Sequence, residues 1–164
     1  MIDRVFKVCL LGAPGVGKTS LLHRFVNDTF SDTYKTTVGV TIKTKTLATD
    51  SGEIKLILWD IEGERELTEM QKQYLKRCHG YLLVADISRF DTFEVLEGYQ
   101  KALENYTQLP HIVFANKSDL VDEDKTQLTD RIEMSPLVFT SAKTGENVEE
   151  GFMNLAAALT ARPK

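Results

Sequence analysis

The chain has 164 residues, 42% of them hydrophobic and 27% charged, with a formal net charge of −4. That length can bury a core without staples and fits one domain over 1–164, while the mild acidity argues against broad attraction to nucleic acid or acidic lipid. No run approaches the ~18–20 apolar residues of a membrane span, position 2 is Ile rather than a Gly for myristoylation, and the C-terminal TARPK has no Cys to prenylate, so no membrane anchor is expected in this sequence.

The elements alternate. Residues 5–11 (VFKVCLL) form a near-continuous apolar run, as in strands buried on both faces. GAPGVGKT at 12–19 follows at once and opens a helix over 18–27. This is the G-x-x-x-x-G-K-[ST] phosphate loop in the strand–helix context it requires. Its glycines let successive N–H groups turn inward, and the helix N-terminus adds positive partial charge. Gly15, Val16, Gly17, Lys18, Thr19 and Ser20 are the candidate donors, whereas Pro14 has no N–H to give. Lys18 would reach the β- and γ-phosphates and Thr19 would present its hydroxyl to Mg²⁺.

Val38, Val40 and Ile42 alternate with Gly and Thr, and Ile54, Leu56 and Leu58 alternate in turn. The TDSG between them predicts an antiparallel hairpin. LWDIEGER at 58–65 then sets Asp60, Glu62 and Glu64 within five positions. A helix is predicted over 67–78, a buried strand over 81–85 and a second helix over 92–106, where Asp91 and Glu94 have capping-box spacing. The buried strand 111–115 leads into Asn116-Lys117-Ser118-Asp119. A carboxylate at Asp119 can accept from N1–H and the exocyclic amine of guanine, a pair that adenine lacks, and the stem of Lys117 can lie along a base. Residues 122–135 hold at most a short helix. A short strand over 137–140 precedes Ser141-Ala142-Lys143, where the small Ala142 lets its backbone N–H approach a purine O6. A last helix covers 148–161, weakened by Gly151 by about 1 kcal/mol. The pattern predicts an α/β fold with a mostly parallel sheet, one antiparallel edge strand and helices on both faces. Its ligand would sit off the carboxyl ends of the strands. Cys9, in an apolar run, and Cys78, closing a helical pattern, are expected as reduced thiols of a cytoplasmic protein.

GAPGVGKT, Thr37, WDIEG, NKSD and TSAK, in this order and spacing, resemble the five nucleotide-binding motifs of a Ras-superfamily small GTPase, over nearly the whole chain. TTVGVTIKTKTL, the LWD and KRCHGYLLVADIS look closest to the Rab-like branch. The resemblance implies a six-stranded P-loop NTPase fold, GTP/GDP and Mg²⁺ binding, and two switch segments that respond to the γ-phosphate. It places Phe30 against guanine, Tyr34 over the phosphates, Thr37 on Mg²⁺ and the γ-phosphate, Asp60 on Mg²⁺, and the N–H of Gly63 at the γ-phosphate. Asn116, Ser141 and Lys143 complete the base motifs. Ile42, Trp59 and Tyr74 stand where Rab-like proteins carry an apolar triad read by effectors, so effectors and regulators are expected at 28–43 and 61–78 of a monomer. Trp59 can equally serve to pack a neighbouring helix.

Two positions depart from the family. Its usual turn, D-T-A-G-Q, ends on a Gln that orients the attacking water; here the turn reads Asp60-Ile61-Glu62-Gly63-Glu64. An ionised Glu64 accepts but cannot donate, and a unit charge about 5 Å from a γ-phosphate costs several kcal/mol at an effective dielectric of about 20. Glu64 can swing to solvent, pair with Arg65, Lys72 or Lys76, or take up a proton. Glu62 adds bulk and charge, and Pro14 stands where Gly or Ser is usual. The expected catalytic set is Lys18, Thr37 and Glu64, with slow hydrolysis. The rival reading is a hydrolysis-deficient GTP-binding scaffold, and a P-loop kinase or ATPase stands further off.

Overall fold

The apolar runs of the sequence become the central strands of one six-stranded sheet. In the computed structural model, which describes residues 2–31, 38–104, 108–122 and 124–162, β1 (Ile2–Leu11) lies between β3 (Gly52–Ile61) and β4 (Gly80–Asp86). Beyond β4 come β5 (His111–Asn116) and β6 (Leu137–Phe139), and β2 (Val40–Thr49) forms the opposite edge beside β3. Only β2–β3 is antiparallel, with Thr49 facing Gly52 across the predicted turn and Ile42 facing Trp59; the other pairs are parallel. Parallel neighbours need crossovers. These carry α1 (Lys18–Asn27), α2 (Glu69–Leu75), α3 (Asp91–Leu103) and α4 (Lys125–Arg131), and α5 (Val148–Thr160) follows β6. The fold is thus the α/β arrangement read from the sequence, and the loops after β1, β3, β4, β5 and β6 gather at the carboxyl edge of the sheet.

Burial follows the pattern. Every residue of β4 is buried, as are Ile54, Leu56 and Leu58 on alternating positions of β3. Helices α1 and α5 meet through Phe25, stacked on Phe152 at 4.1 Å, with Phe114 of β5 edge-on to the same ring at 5.4 Å.

Several expectations are corrected. No capping box forms at Asp91: Phe90 is the N-cap without a side-chain bond, and Asp91 lies inside the first turn, paired with Arg65 at 3.1 Å. The capping box occurs at α2 instead, where Thr68 and Gln71 bond each other's backbone N–H groups. That box starts the helix at Glu69, and bonds from Arg77 to Tyr74 and from Cys78 to Leu75 tighten its end, so α2 is shorter than 67–78. The cysteines are paired rather than reduced: a disulfide joins Cys9 to Cys78. The physical cause is the return of the chain after α2, where the His79 N–H donates to the Lys7 carbonyl and the Lys7 N–H to His79 Nδ1. Those bonds lay residue 78 against β1, with the two Cα atoms 6.5 Å apart, inside the range a disulfide spans. A sequence separation of 69 hides that proximity in the sequence.

Candidate functional site

Between β1 and α1 the backbone carbonyls of five successive residues are engaged. Lys18 Nζ donates to Gly12 O (3.4 Å) and Ala13 O (3.3 Å). Arg89 Nη2 donates to Pro14 O at 3.1 Å, Lys117 Nζ to Gly15 O at 2.8 Å, and Asn116 Nδ2 to Val16 O at 3.0 Å. A trans peptide points its N–H opposite to its C=O. With carbonyls 14 to 16 turned toward these side chains, the N–H groups of Gly15, Val16 and Gly17 point the other way. The loop thereby has the polarity of an anion cradle. Lys18 is buried, and burial lowers its pKa to about 8, against the opposing pull of Asp60. A buried ammonium near neutrality calls for an anion.

Beside it, Thr19 Oγ1 donates to Asp60 Oδ2 at 2.5 Å, bringing the hydroxyl at the start of α1 onto the fully buried carboxylate near the end of β3. Among the described residues there is no group of three or more His, Cys, Asp or Glu able to hold a metal. A hydroxyl and one carboxylate, both hard oxygens, form a donor set that fits Mg²⁺, which takes few protein ligands and completes its shell with phosphate and water. Thr37, the third expected ligand, and Tyr34 lie outside the described residues.

After β3 the acidic turn is tied on every side. Gly63 packs so closely on the phosphate loop that a Cβ there would sit 2.8 Å from Pro14 Cα and N. Glu64 donates its N–H to Gly12 O at 3.2 Å, and its carbonyl accepts from Tyr99 Oη. Its side chain is exposed, while Arg65 engages Asp91 and Lys72 engages Glu69 at 3.1 Å each. That exposure matches the first of the three ways open to Glu64. Glu62 is engaged with Gly39: Oε2 accepts from the Gly39 N–H at 3.3 Å, its own N–H donates to Gly39 O at 2.8 Å, and Gln71 Nε2 donates to its carbonyl.

At the other end Asn116 is a junction. Its amide holds Val16 O, and its Oδ1 accepts from Thr140 Oγ1 (3.1 Å) and the Ala142 N–H (3.3 Å), which joins the phosphate loop to the TSAK loop. The N–H expected at a purine O6 therefore faces Asn116 here, over a long bond. Exposed Asp119 accepts from the Ser141 hydroxyl at 2.7 Å, and Arg24 holds the carbonyls of Ala142 (2.8 Å) and Lys143 (2.7 Å). Phe30 is exposed beyond α1. The three apolar effector candidates do converge: exposed Ile42 lies opposite Trp59, and the half-buried Trp59 ring meets Tyr74 edge-on at 5.2 Å.

Sequence reasoning missed Asp86, Arg89 and Tyr99. The one available signal was a carboxylate closing the otherwise apolar YLLVAD, with Arg89 three residues on. With this geometry in place, a family model described as Ras family matches residues 7–161.

Proposed function

This chain belongs to the Ras family, whose members bind GTP and GDP as switches and hydrolyse GTP, and we propose that it is a slow member of the Rab-like branch, built as one domain. The observation that carries this reading is the phosphate loop with carbonyls 14 to 16 drawn outward, beside the Thr19–Asp60 pair. The N–H groups of Gly15 to Ser20 and the Lys18 ammonium receive the β- and γ-phosphates. Asp119, Ala142 and the stem of Lys117 recognise guanine, with Asn116, Ser141 and Lys143 shaping that end and Phe30 covering the base. Thr19, Thr37 and Asp60 would hold Mg²⁺, which neutralises charge building on the β- and γ-oxygens. Effectors and regulators would meet 28–43 and 61–78, where Ile42, Trp59 and Tyr74 form an apolar anchor.

Slow turnover follows from Glu64. Its carboxylate cannot donate toward the transferring phosphoryl group, and its exposed position takes it away from a water in the cradle. Single-turnover hydrolysis of bound GTP, compared between the wild type and Glu64→Gln with nucleotide retention checked, decides this. A tenfold or greater gain in the variant is expected, equivalent to about 1.4 kcal/mol of transition-state stabilisation. A wild type that hydrolyses readily and is slowed by Gln would make Glu64 a working catalytic group and end this reading. A scaffold that holds GTP without turnover is favoured by one observation, the strut from Glu62 to Gly39, which ties the two switch segments together through their own hydrogen bonds. It predicts no gain in Glu64→Gln. Competition of GTP against ATP disposes of a kinase or ATPase.

A further inference from the structure

Resting on the nucleotide reading above, we propose that Asp86 and Arg89 are positioning residues of the phosphate loop: Asp86 gathers two cations, Arg89 and Lys117, which hold the consecutive carbonyls of Pro14 and Gly15 outward. Asp86 ends β4 with its side chain only 3% exposed, and both oxygens are in use. Oδ1 accepts from the Ser88 N–H (2.9 Å) and hydroxyl (2.6 Å), and Oδ2 accepts from Arg89 Nε (3.2 Å) and pairs with Lys117 Nζ (3.0 Å). Its own N–H is engaged as well, donating to Thr92 Oγ1 at 2.9 Å. Burial works against its charge, but the Ser88 hydrogen bonds and Lys117 prevail and hold the carboxyl below its ordinary range.

Each cation then spends a second contact on the loop, Arg89 Nη2 on Pro14 O and Lys117 Nζ on Gly15 O. The coupling is covalent. Pro14 O shares a rigid peptide plane with the N–H of Gly15, and Gly15 O shares one with the N–H of Val16, so fixing a carbonyl aims a donor. The loop needs that control, because Gly15 and Gly17 both sit at positive φ (76° and 100°), and Pro14 has already removed one N–H. The forked guanidinium suits the task, since it meets carboxylate and carbonyl at once through different nitrogens.

A surface ion pair with 42% of the Arg89 side chain exposed is ordinarily of little consequence. The test therefore reads phosphate recognition and not stability. Displacement of a fluorescent GDP by GDP and by GMP is measured for the wild type, Arg89→Gln, Arg89→Lys, Asp86→Asn and the double variant Asp86→Asn/Arg89→Gln, each checked for an unchanged fold by circular dichroism, and displacement by ADP is measured for the wild type. Loop N–H groups cradle the phosphate chain, and GMP lacks the β-phosphate. Arg89→Gln is expected to narrow the GDP-over-GMP preference by about tenfold and to speed GDP release by a similar factor, the scale of a lost hydrogen bond to a charged group. Arg89→Lys should recover part of it. Asp86→Asn should exceed Arg89→Gln, and the double variant should add little to it, as members of one network do. An unchanged GDP-over-GMP ratio in Arg89→Gln, or equal loss for both nucleotides, overturns the proposal. A wild type that fails to prefer GDP over ADP overturns the nucleotide reading itself.

Discussion

A buried ammonium is costly to keep charged, and the surroundings of Lys18 show how little compensates it: two long bonds to Gly12 and Ala13 carbonyls and the nearby Asp60. The two extra acids of the turn divide the labour differently, Glu62 bracing Gly39 and Glu64 facing solvent. Single residues outside the site are equally legible once their partners are known. His79 Nδ1 accepts the Lys7 N–H at 2.9 Å, and its pKa is lowered by burial and then by Lys7 and Arg4. The unfolded chain, at an ordinary value near 6.5, takes up the proton first as pH falls. The contribution of His79 to stability, a small one for a side chain this exposed, is therefore held above about pH 6.5 and falls away below it. Melting of the GDP-bound protein at pH 7.5 and 5.5 is expected to show that fall. His79→Asn, which keeps an acceptor and cannot titrate, should flatten it; an equal fall in both proteins would assign the effect elsewhere. Lys18 and Thr19 could be read from the sequence because their motif is local. The role of His79 could not, because its partner lies 72 residues away, and the same distance problem concealed Arg89, 75 residues from Pro14.

The elements carry these residues into register. Helix α3 links the phosphate loop to the acidic turn: Arg89 just before it reaches Pro14 O, Asp91 in its first turn holds Arg65, and the hydroxyl of the buried Tyr99 donates to the Glu64 carbonyl. The apolar stripe of α3 was visible in its sequence, but the capping-box spacing at Asp91 misled, because a carboxylate at a helix start can serve a neighbouring element instead of its own backbone. Helix α5 gives the converse case. On propensity alone, replacing its Gly151 should stabilise the helix by about 1 kcal/mol. In the fold a Cβ at 151 would lie 2.5 Å from the ring of Phe114, itself fully buried on β5 two residues before Asn116. Overpacking of that kind costs about 1–3 kcal/mol. Gly151→Ala is therefore expected to be net destabilising by up to roughly 2 kcal/mol, a fall in Tm of up to about 8 °C for a chain of this size. A raised melting temperature would show that the ring yields and that helix propensity wins.

Across the whole molecule, sheet order follows from crossover physics and the site follows from sheet order, so strand runs, helix stripes and loop motifs sufficed to anticipate the architecture. What the pattern could not supply was a covalent link between distant parts. Cys9 near the carboxyl end of β1 and Cys78 just after α2 are bonded, so the helix following the acidic turn is anchored to an inner strand of the sheet. Cross-linking residues 69 apart restricts the unfolded chain by about 4 kcal/mol on a chain-entropy estimate, of which measured cases typically deliver 2–4. The folded protein should therefore resist alkylation after denaturation without reductant and gain two alkyl groups per chain once reduced, read by intact mass. Cys9→Ser/Cys78→Ser should melt lower by on the order of 10 °C. Because the bond closes the turn side of the molecule, GDP-bound samples of the double variant should also show faster amide exchange in residues 69–78 than in β4, whose backbone is paired on both sides. Alkylation of both cysteines without reductant, with melting unaltered by the double substitution, would leave β1 and α2 joined by packing and by the Lys7–His79 bonds alone.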